Sequence, residues 1–450
     1  MIEDIFSFNK KTTHGSSAFA STWEVRKLLK SGNKGVYLAN GLRLTSDKSF
    51  MHTVLVGPSG SHKSTGFLLN NLLRKWNQSV GMVIFDPDGS GYEKCTPFME
   101  NEGFQVLKID LNNPEESEST NPLLEVTDKH SAREMAQTLI EGVYKDNKSD
   151  PFWSESGQLL LMVVILAMTK RVPESERTLS FLAHLINKFN PTSQEEVDAF
   201  IEGALEDDLH TFQEYLAFTA NSFKVKMSIL ATIKACLYSF ADPVMQRICS
   251  HNSFSFSKLR EGKIALFLIQ REDRISYNRT YWALFLNSLF SYLMQGGSSS
   301  QPVYCFLEEF SSYKIPNFTA IISTIRRRNV GLNIILQSVE SLREIYGPEQ
   351  AKVVFENCAT KMFLSGLSYE SSKLVSDMLG QGTATYSQEP LKGLFTNDTP
   401  RYRTARPLLT PDEVRRLKDG TALVVHRNHR PMLLKQTPYF KNRKLKRRSK

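Results

Sequence analysis

The sequence contains few cysteines and no pattern that would pair them or bind zinc. Its five cysteines lie far apart and none belongs to a CxxC pair, so neither a disulfide framework nor a zinc knuckle is indicated. The N-terminus also lacks the charged and apolar regions of a signal peptide. These absences favour a protein of the reducing cytoplasm.

Long apolar runs are equally scarce. The longest uninterrupted run covers 159–168, about half of the roughly 20 residues that a membrane-spanning helix needs. We therefore expect no transmembrane segment in this chain. With 41% hydrophobic and 23% charged residues among 450, the composition is that of a soluble globular protein long enough for two or more packed units.

Positive charge is concentrated at the C-terminus. The formal net charge is +9, but seven of the last ten residues are Lys or Arg, which leaves about +2 for the rest of the chain. Such a tail can neutralise the phosphates of DNA or RNA, attract anionic lipid headgroups, or keep the protein soluble. The sequence leaves these three roles open.

Short apolar runs recur along the chain and are typical of buried strands. These runs are 53–56, 82–85, 106–109, 264–269, 303–307, 332–336, 362–364 and 422–425. Several of them are followed by segments with helical spacing, such as 66–76 and 318–326. The pattern predicts an α/β fold with a mainly parallel sheet flanked by helices.

The long block between the third and fourth of these strands has helical periodicity and little alternation. Ser131 and Glu134 are predicted to form the capping box of its first helix. We therefore expect an all-α domain inserted between two parts of the α/β domain.

A glycine-rich loop follows the strand at 53–56 and leads into a helical segment. Its residues are Gly57, Pro58, Ser59, Gly60, Ser61, His62, Lys63, Ser64 and Thr65. This is a Walker A pattern, which wraps backbone N–H groups around the phosphates of a nucleotide. We expect Lys63 to reach the β- and γ-phosphates and the Ser64 hydroxyl to coordinate Mg²⁺.

His62 departs from the pattern, because it stands where GxxxxGK[ST] has its second glycine. Its side chain can tighten the anion site by donating a hydrogen bond or narrow it by crowding. A degenerate loop in a nonhydrolysing protein is the alternative. We favour a working site, because the strand, Gly57, Lys63 and Ser64 are all in place.

An acidic pair, Glu308 and Glu309, follows the apolar run at 303–307. A P-loop needs a second strand with carboxylates to hold the Mg²⁺ shell and polarise the attacking water. We assign Glu308 to the metal and Glu309 to the water. At Glu308, a glutamate stands where aspartate is usual, which places the carboxylate one methylene further from the backbone. The alternative interpretation is surface charge, since a Glu-Glu pair taken alone is usually that.

Three arginines, Arg326 to Arg328, precede the run at 332–336, which ends at Gln337. A polar residue at this strand tip can sense the γ-phosphate or orient water. In ring-shaped motors, an arginine after the acidic strand can project into the neighbouring subunit's site. We assign that role to Arg326, with Arg327 as the alternative; a solvated helix end is the other interpretation.

Further motifs give the chain a resemblance to a known family. Residues 86–93 are similar to that family's DPKGELYE segment, with Asp88 in place of lysine. Other matches are 14–16, 57–65, 119–123, 150–153, 307–310, 335–338 and 407–413. In order and spacing, these motifs resemble those of the TraG-type coupling proteins of type IV secretion and conjugation systems, relatives of the FtsK-like DNA motors.

The resemblance implies a RecA-like P-loop ATPase with ATP and Mg²⁺ as cofactors, a helical insertion that meets the relaxase or other cargo, and a homo-hexameric ring around single- or double-stranded DNA. It also implies contact with type IV secretion channel components. On this basis we divide the chain into a lead-in segment (1–50), a first nucleotide-binding part with Walker A (51–127), an all-helical insertion (128–252), a second nucleotide-binding part with Walker B (253–436) and a basic tail (437–450).

Members of this family typically begin with transmembrane helices, and this sequence shows none. The resemblance therefore implies either a member recruited by a separate membrane anchor protein or one whose anchor has been lost or removed. We expect a cytoplasmic protein, peripheral at the inner face of the cell membrane.

The leading hypothesis is an ATP-driven coupling protein that recruits a DNA–relaxase substrate and drives its transfer through a type IV secretion apparatus. One alternative is a nonhydrolysing docking receptor that binds nucleotide and presents the helical insertion to cargo. Another is an FtsK-like DNA translocase or packaging motor with no role in secretion, against which the segments 86–93 and 407–413 speak.

Overall fold

The computed structural model of the chain describes residues 14–143, 151–190, 193–274, 276–297, 300–387 and 401–450. The chain packs into two compact units. One is formed by Met1–Gln78 with Gly331–Lys450, and the other by Ser79–Val330. The strands are β1 Tyr37–Ala39, β2 Leu42–Arg43, β3 Thr53–Val56, β4 Gly81–Asp86, β5 Gln105–Asp110, β6 Ile264–Ile269, β7 Val303–Leu307, β8 Val330–Leu336, β9 Thr360–Phe363, β10 Gln381–Ser387, β11 Arg401–Pro407, β12 Thr421–His426 and β13 Met432–Lys435.

Helices connect these strands. They are α1 Thr22–Leu28, α2 Ser46–Ser49, α3 Leu69–Leu72, α4 Ser90–Asn101, α5 Lys129–Val143, α6 Pro151–Arg171, α7 Leu179–Asn187, α8 Gln194–Ala204, α9 Leu209–Thr219, α10 Phe223–Leu237, α11 Pro243–Ile248, α12 Arg279–Gln295, α13 Phe318–Thr324, α14 Val339–Tyr346, α15 Pro348–Asn357, α16 Tyr369–Leu379, α17 Pro411–Arg415 and α18 Arg443–Arg448.

A nine-stranded sheet has the order β13-β12-β9-β3-β8-β7-β4-β6-β5. Its strands pair in parallel from β9 to β8 and from β7 to β5, whereas β12 runs antiparallel to β9 and β13. Strands β3, β4, β6, β7 and β8 are buried along their whole length. Strands buried on both faces read as continuous apolar runs, which is why the sequence located them. The predicted α/β fold with a mainly parallel sheet is confirmed.

In the first unit, β3 lies between β8 and β9 with all three strands parallel. Val56 is opposite Leu336 on one side and Phe363 on the other. The carboxyl ends of the three strands therefore meet at one edge. Ligands bind at this edge in open α/β sheets.

In the second unit, β4 lies between β6 and β7, again with all strands parallel. Phe85 is opposite Leu307, and Asp86 is opposite Ile269. Asp86 and Glu308 therefore end neighbouring strands at the same edge of the sheet.

Among its described residues, the block between β5 and β6 consists of α5 to α11, short 3-10 turns and the loops that connect them. The predicted all-α insertion is confirmed. Its centre is α6, which packs against α5, α8, α9 and α10. Residues 160–168 are buried without interruption. By length and composition α6 is apolar enough to cross a membrane, but an all-round apolar helix packed by its neighbours is also what the core of a helical domain requires.

The start of α5 differs from the prediction. Asp128 precedes the helix, and its Oδ1 accepts hydrogen bonds from the Ser131 N–H at 2.8 Å and from the Ser131 hydroxyl at 2.7 Å. The prediction of Ser131 as the capping residue was therefore wrong, because the helix begins at Lys129 and Asp128 occupies the capping position. The domain boundaries drawn from the sequence stay a prediction.

Candidate nucleotide-binding site

The glycine-rich loop leaves β3 at its carboxyl end. The Gly57 N–H donates to the Leu336 carbonyl at 3.1 Å, which ties the start of the loop to β8. A Cβ atom at Gly57 would lie 2.5 Å from Ser61 Oγ and 3.0 Å from Leu364. A side chain at position 57 would therefore force the loop into another backbone path. With glycine there, the loop is compact enough to wrap a small anion.

His62 adopts the backbone conformation that a glycine would have, with φ +67°. This left-handed conformation costs a residue with a Cβ about 1–2 kcal/mol. The imidazole is exposed, and its Nδ1 lies 3.2 Å from Thr65 Oγ1. Of the two effects considered for this substitution, the exposed ring fits an extra polar contact better than crowding inside the loop.

Lys63 is buried, and its Nζ donates to the Pro58 carbonyl at 3.2 Å. The Ser61 hydroxyl donates to the same carbonyl at 2.7 Å. The amine is thus turned back across the loop and held near its centre. An ammonium group that rests on a neutral carbonyl can exchange that partner for a more strongly attracting phosphate oxygen, so the residues of the loop fit a nucleotide phosphate.

The helix after the loop begins as a π-helical turn, Ser64–Leu68, and continues as α3 to Leu72. The Gly66 N–H donates to the His62 carbonyl at 2.7 Å. π-Helical turns are rare and often occur at functional sites. The helical segment predicted to reach position 76 ends four residues earlier, and the Trp76 indole N–H donates to the Asn71 carbonyl at 3.0 Å.

Gln337 follows β8 directly and is exposed. Because β3 and β8 run parallel with Val56 opposite Leu336, Gly57 and Gln337 leave the sheet side by side. The structure therefore brings Gln337 to the strand edge that carries the glycine-rich loop.

The acidic pair ends β7, and its two members differ in environment. Glu308 is buried, with 7% of its surface exposed, whereas Glu309 is half-buried and has φ +48°. A glutamate in the left-handed region is strained, and strain of this kind clusters at active sites. The turn after β7 thus separates the two carboxylates into one buried and one accessible group.

Asp86 is not among the site residues predicted from the motifs, although it opens the segment similar to DPKGELYE. Its carboxylate ends β4 and accepts hydrogen bonds from the N–H groups of Gly91 at 3.2 Å and Tyr92 at 2.7 Å. Burial raises the pKa of Asp86 to about 6, and the charge of nearby Asp88 adds to this, while the two backbone hydrogen bonds oppose it. Asp86 therefore secures the start of α4.

The three arginines form a 3-10 turn, Ile325–Arg328, and the guanidinium groups of Arg326, Arg327 and Arg328 are all exposed. Exposure makes them available to another molecule, but nothing in this turn distinguishes Arg326 from Arg327. Asp150, part of the motif at 150–153, lies outside the described residues.

The C-terminal segment lies against the helix that follows the loop. The Asn70 side chain donates to the Thr437 carbonyl at 3.1 Å, and Arg448 donates to the Leu73 carbonyl at 2.7 Å. Leu445, among the basic residues of α18, is buried. Composition alone does not reveal these long-range contacts.

Comparison with known protein families identifies the family of this chain. The family described as type IV secretory system conjugative DNA transfer matches residues 11–450. The chain belongs to this family. The predicted relation to coupling proteins of type IV secretion and conjugation is confirmed.

Two curated relatives of this chain are distant in sequence. Protein VirD4 of Agrobacterium fabrum is 22% identical over 477 residues, which cover 98% of this chain and 68% of the relative. Protein VirD4 of Rhizobium radiobacter is 22% identical over 430 residues, which cover 92% of this chain and 59% of the relative. The chain therefore spans about three fifths to two thirds of the length of these curated relatives.

Solved structures show the same fold. The bacterial conjugative coupling protein TrwBdeltaN70 has a TM-score of 0.72 at 18% identity, covering 96% of this chain and 97% of its own. TrwB in complex with ADP and Mg²⁺ has a TM-score of 0.71 at 18% identity, covering 94% and 96%. VirB4 of Thermoanaerobacter pseudethanolicus has a TM-score of 0.54 at 12% identity, covering 91% and 98%. The RecA-like fold predicted from the motifs is confirmed.

Proposed function

We propose that this chain is an ATP-driven coupling protein that recruits DNA bound to a relaxase, or other cargo, and drives its transfer through a type IV secretion apparatus. The observation that carries the proposal is the loop at 57–65, with its buried Lys63 amine, in a chain that matches the conjugative DNA transfer family over 11–450. The structures of TrwB with ADP and Mg²⁺ and with an ATP analogue support nucleotide use by this fold.

Each predicted site residue keeps its role in this proposal. The loop residues 57–65 hold the phosphates, Lys63 pairs with the β- and γ-oxygens, and Ser64 and Glu308 hold Mg²⁺. Bound Mg²⁺ supplies neutralisation of phosphate charge. The difference in burial between Glu308 and Glu309 supports different roles, since a buried carboxylate suits a metal and an accessible one can polarise water.

Gln337 orients the water or senses the γ-phosphate from its position beside the loop. Arg326 acts on the site of a neighbouring subunit in a homo-hexamer. Its exposed guanidinium supports this assignment, because an arginine that works in another subunit must project from its own surface.

The helical insertion, 128–252, is proposed as the surface that meets cargo. Large apolar side chains are exposed on two consecutive helices of this block, Leu209 and Leu216 on α9 and Phe223 and Met227 on α10. Large apolar side chains left exposed to solvent are a feature of protein-binding surfaces. The flanking parts, 51–127 and 253–436, form the nucleotide-binding domain, after the lead-in segment 1–50.

We place the protein at the inner face of the cell membrane, where it meets components of the secretion channel and a separate anchor protein. The basic residues of the tail, 437–450, support contact with an acidic surface.

The test is ATP hydrolysis by the wild-type chain and by Glu309→Gln, with and without single- and double-stranded DNA over a salt series. We expect DNA-stimulated hydrolysis in the wild type and a loss of about 10²–10⁴-fold in Glu309→Gln, which removes the proposed base while retaining nucleotide binding. Glu344→Gln, at an exposed glutamate of α14, is the control and should hydrolyse ATP like the wild type.

A wild-type chain that hydrolyses no ATP under any of these conditions would refute the motor and favour a docking receptor. Hydrolysis that no nucleic acid changes would favour a protein cargo. If Glu309→Gln is as active as the control variant, the assignment of Glu309 is wrong.

A further inference from the structure

The basic C-terminal segment is folded onto the nucleotide loop and its helix. A Cβ atom at Gly66 would lie 2.8 Å from the Gln436 side chain, so β13 leads the chain directly onto the π-helical turn. The hydrogen bond from Asn70 to the Thr437 carbonyl fixes the next residue. This part of the chain is therefore packed against the loop's helix at two consecutive positions.

The end of the segment is anchored as well. Asn442 caps α18 by accepting from the N–H groups of Lys444 and Leu445, and Arg448 donates to the Leu73 carbonyl at 2.7 Å. Leu445 is buried beneath the basic residues. Residues 439–441 are thus held between two fixed points, which limits where their side chains can lie.

Between these anchors, Phe440 meets His62. The two rings pack edge to face with 6.2 Å between their centroids, and Tyr439 also packs edge to face with Phe440 at 5.6 Å. Phe440 is 39% exposed. An apolar ring that is held in place and yet left open to solvent is available to a ligand.

His62 connects this ring to the phosphate loop. Its Nδ1 contacts Thr65 Oγ1 at 3.2 Å, and its neighbour Lys63 carries the amine at the loop centre. A nucleotide whose phosphates lie in the loop extends its ribose and base beyond it. An aromatic face next to the phosphate site is what a base needs for stacking.

We infer that Phe440, positioned by His62, is the surface on which the base of the nucleotide stacks. This inference rests on the proposed function of the loop as a phosphate site. Every base has a π-face, so stacking alone accepts adenine and guanine alike. The C-terminal segment is then a wall of the nucleotide site, in addition to any contact that its exposed basic residues make with polyanions.

The experiment measures equilibrium binding of Mg²⁺-ATP, Mg²⁺-GTP and inorganic tripolyphosphate to the full chain by calorimetry. Tripolyphosphate has the phosphates without a base, so it separates the two parts of the site. Phe440→Leu keeps an apolar side chain and removes the aromatic face, whereas Phe440→Tyr retains that face. Leu433→Ala, at an exposed apolar residue of β13, is the matched control.

We expect Phe440→Leu to weaken ATP and GTP binding by about tenfold or more while tripolyphosphate binding stays within about twofold of the wild type. Phe440→Tyr and Leu433→Ala should bind all three like the wild type. Thermal melting of each variant verifies that it is folded.

Two results would overturn the inference while leaving the proposed function in place. In one, Phe440→Leu binds ATP as tightly as the wild type does. In the other, Phe440→Leu weakens the binding of tripolyphosphate as much as the binding of ATP. That result would mean that the Phe440 ring stabilises the phosphate loop and does not contact the base. A wild-type chain that binds neither ATP nor tripolyphosphate would overturn the proposed function as well.

Discussion

Two strand–turn–helix elements of this chain have the same topology but carry different side chains at the turn, a carboxyl group in one and an amine in the other. In the first unit, β3 leads through the loop at 57–65 into a helix, and in the second unit β4 leads through a short turn into α4. The β4 turn carries its own hydrogen-bond acceptor, because the Asp86 carboxyl group accepts from the N–H groups of Gly91 and Tyr92. The β3 loop instead carries a cation, Lys63, turned onto the Pro58 carbonyl.

The difference shows how one local structure serves folding in one place and binding in another. The start of a helix attracts negative charge. Where the chain supplies a carboxyl group that accepts the N–H groups at the start of the helix, the turn is satisfied from within. Where it supplies a lysine and glycines, the favourable anion has to come from outside, which is the basis of the phosphate site that we propose for this loop.

The largest expected effect is a difference in ATP turnover between lysine variants of the two turns. Lys63 and Lys94 both donate to a carbonyl of their own turn, Pro58 and Ser90 respectively. We expect Lys63→Ala to reduce ATP turnover by about 10²–10³-fold, because the removed charge is the one that we propose to pair with the phosphates. Lys94→Ala should leave turnover within about twofold, as measured by phosphate release at saturating ATP.

Equal losses in the two lysine variants would contradict the comparison. Such a result would mean that either turn can be disturbed with the same consequence for the site.

The second effect concerns stability and pH at the β4 turn. Burial raises the pKa of Asp86 from its ordinary value of 3.8 to about 6. Between these values the folded chain holds a proton that the unfolded chain has lost, so the free energy of unfolding falls as pH rises. The contribution is present below about pH 4 and is lost above about pH 6, by about 3 kcal/mol in all.

Asp86→Asn, which cannot ionise, isolates this contribution. The difference in free energy of unfolding between the wild type and Asp86→Asn, from urea titrations at pH 4 to 7, should move in favour of the variant as pH rises. Parallel curves across this range would show that the Asp86 carboxyl is not shifted.

The smallest effect compares the left-handed residues of the two turns, His62 with φ +67° and Gly89 with φ +72°. A Cβ atom is strained in this region, so His62→Gly should be more stable than His62→Ala by about 1 kcal/mol, and Gly89→Ala should be destabilised by a similar amount. Thermal denaturation of the three variants provides the measurement. His62→Ala melting above His62→Gly would show that the loop adopts another backbone path.

Much of the sheet could be predicted because its strands are buried on both faces. The runs at 53–56, 264–269 and 303–307 have the bounds of β3, β6 and β7. The glycine-rich loop could also be located, since its residue types are required at fixed spacing. The sequence did not reveal β13, in which Met432 and Leu434 are buried while Leu433 and Lys435 are exposed, because four residues are too few for a periodic signal.

The unpredicted parts of the candidate site depend on contacts between distant residues. Phe440 reads as one aromatic in a basic tail, and only the folded chain brings its ring to His62. Asp86 lies in a recognisable motif, but its raised pKa results from burial by the surrounding structure. The predicted capping residue of α5 was wrong for a local reason, since Asp128 and Ser131 are both suited to cap the start of the helix.

The buried helix α6 has a consequence for the life of the chain before it is folded. Residues 160–168 leave the ribosome before α8, α9 and α10, the helices that later cover them. Until then, the same apolar surface can enter a bilayer or bind another chain. A fragment that ends between Arg171 and Gln194 lacks all three of these helices. Such fragments should aggregate or partition into membranes, although the complete helical block buries the surface.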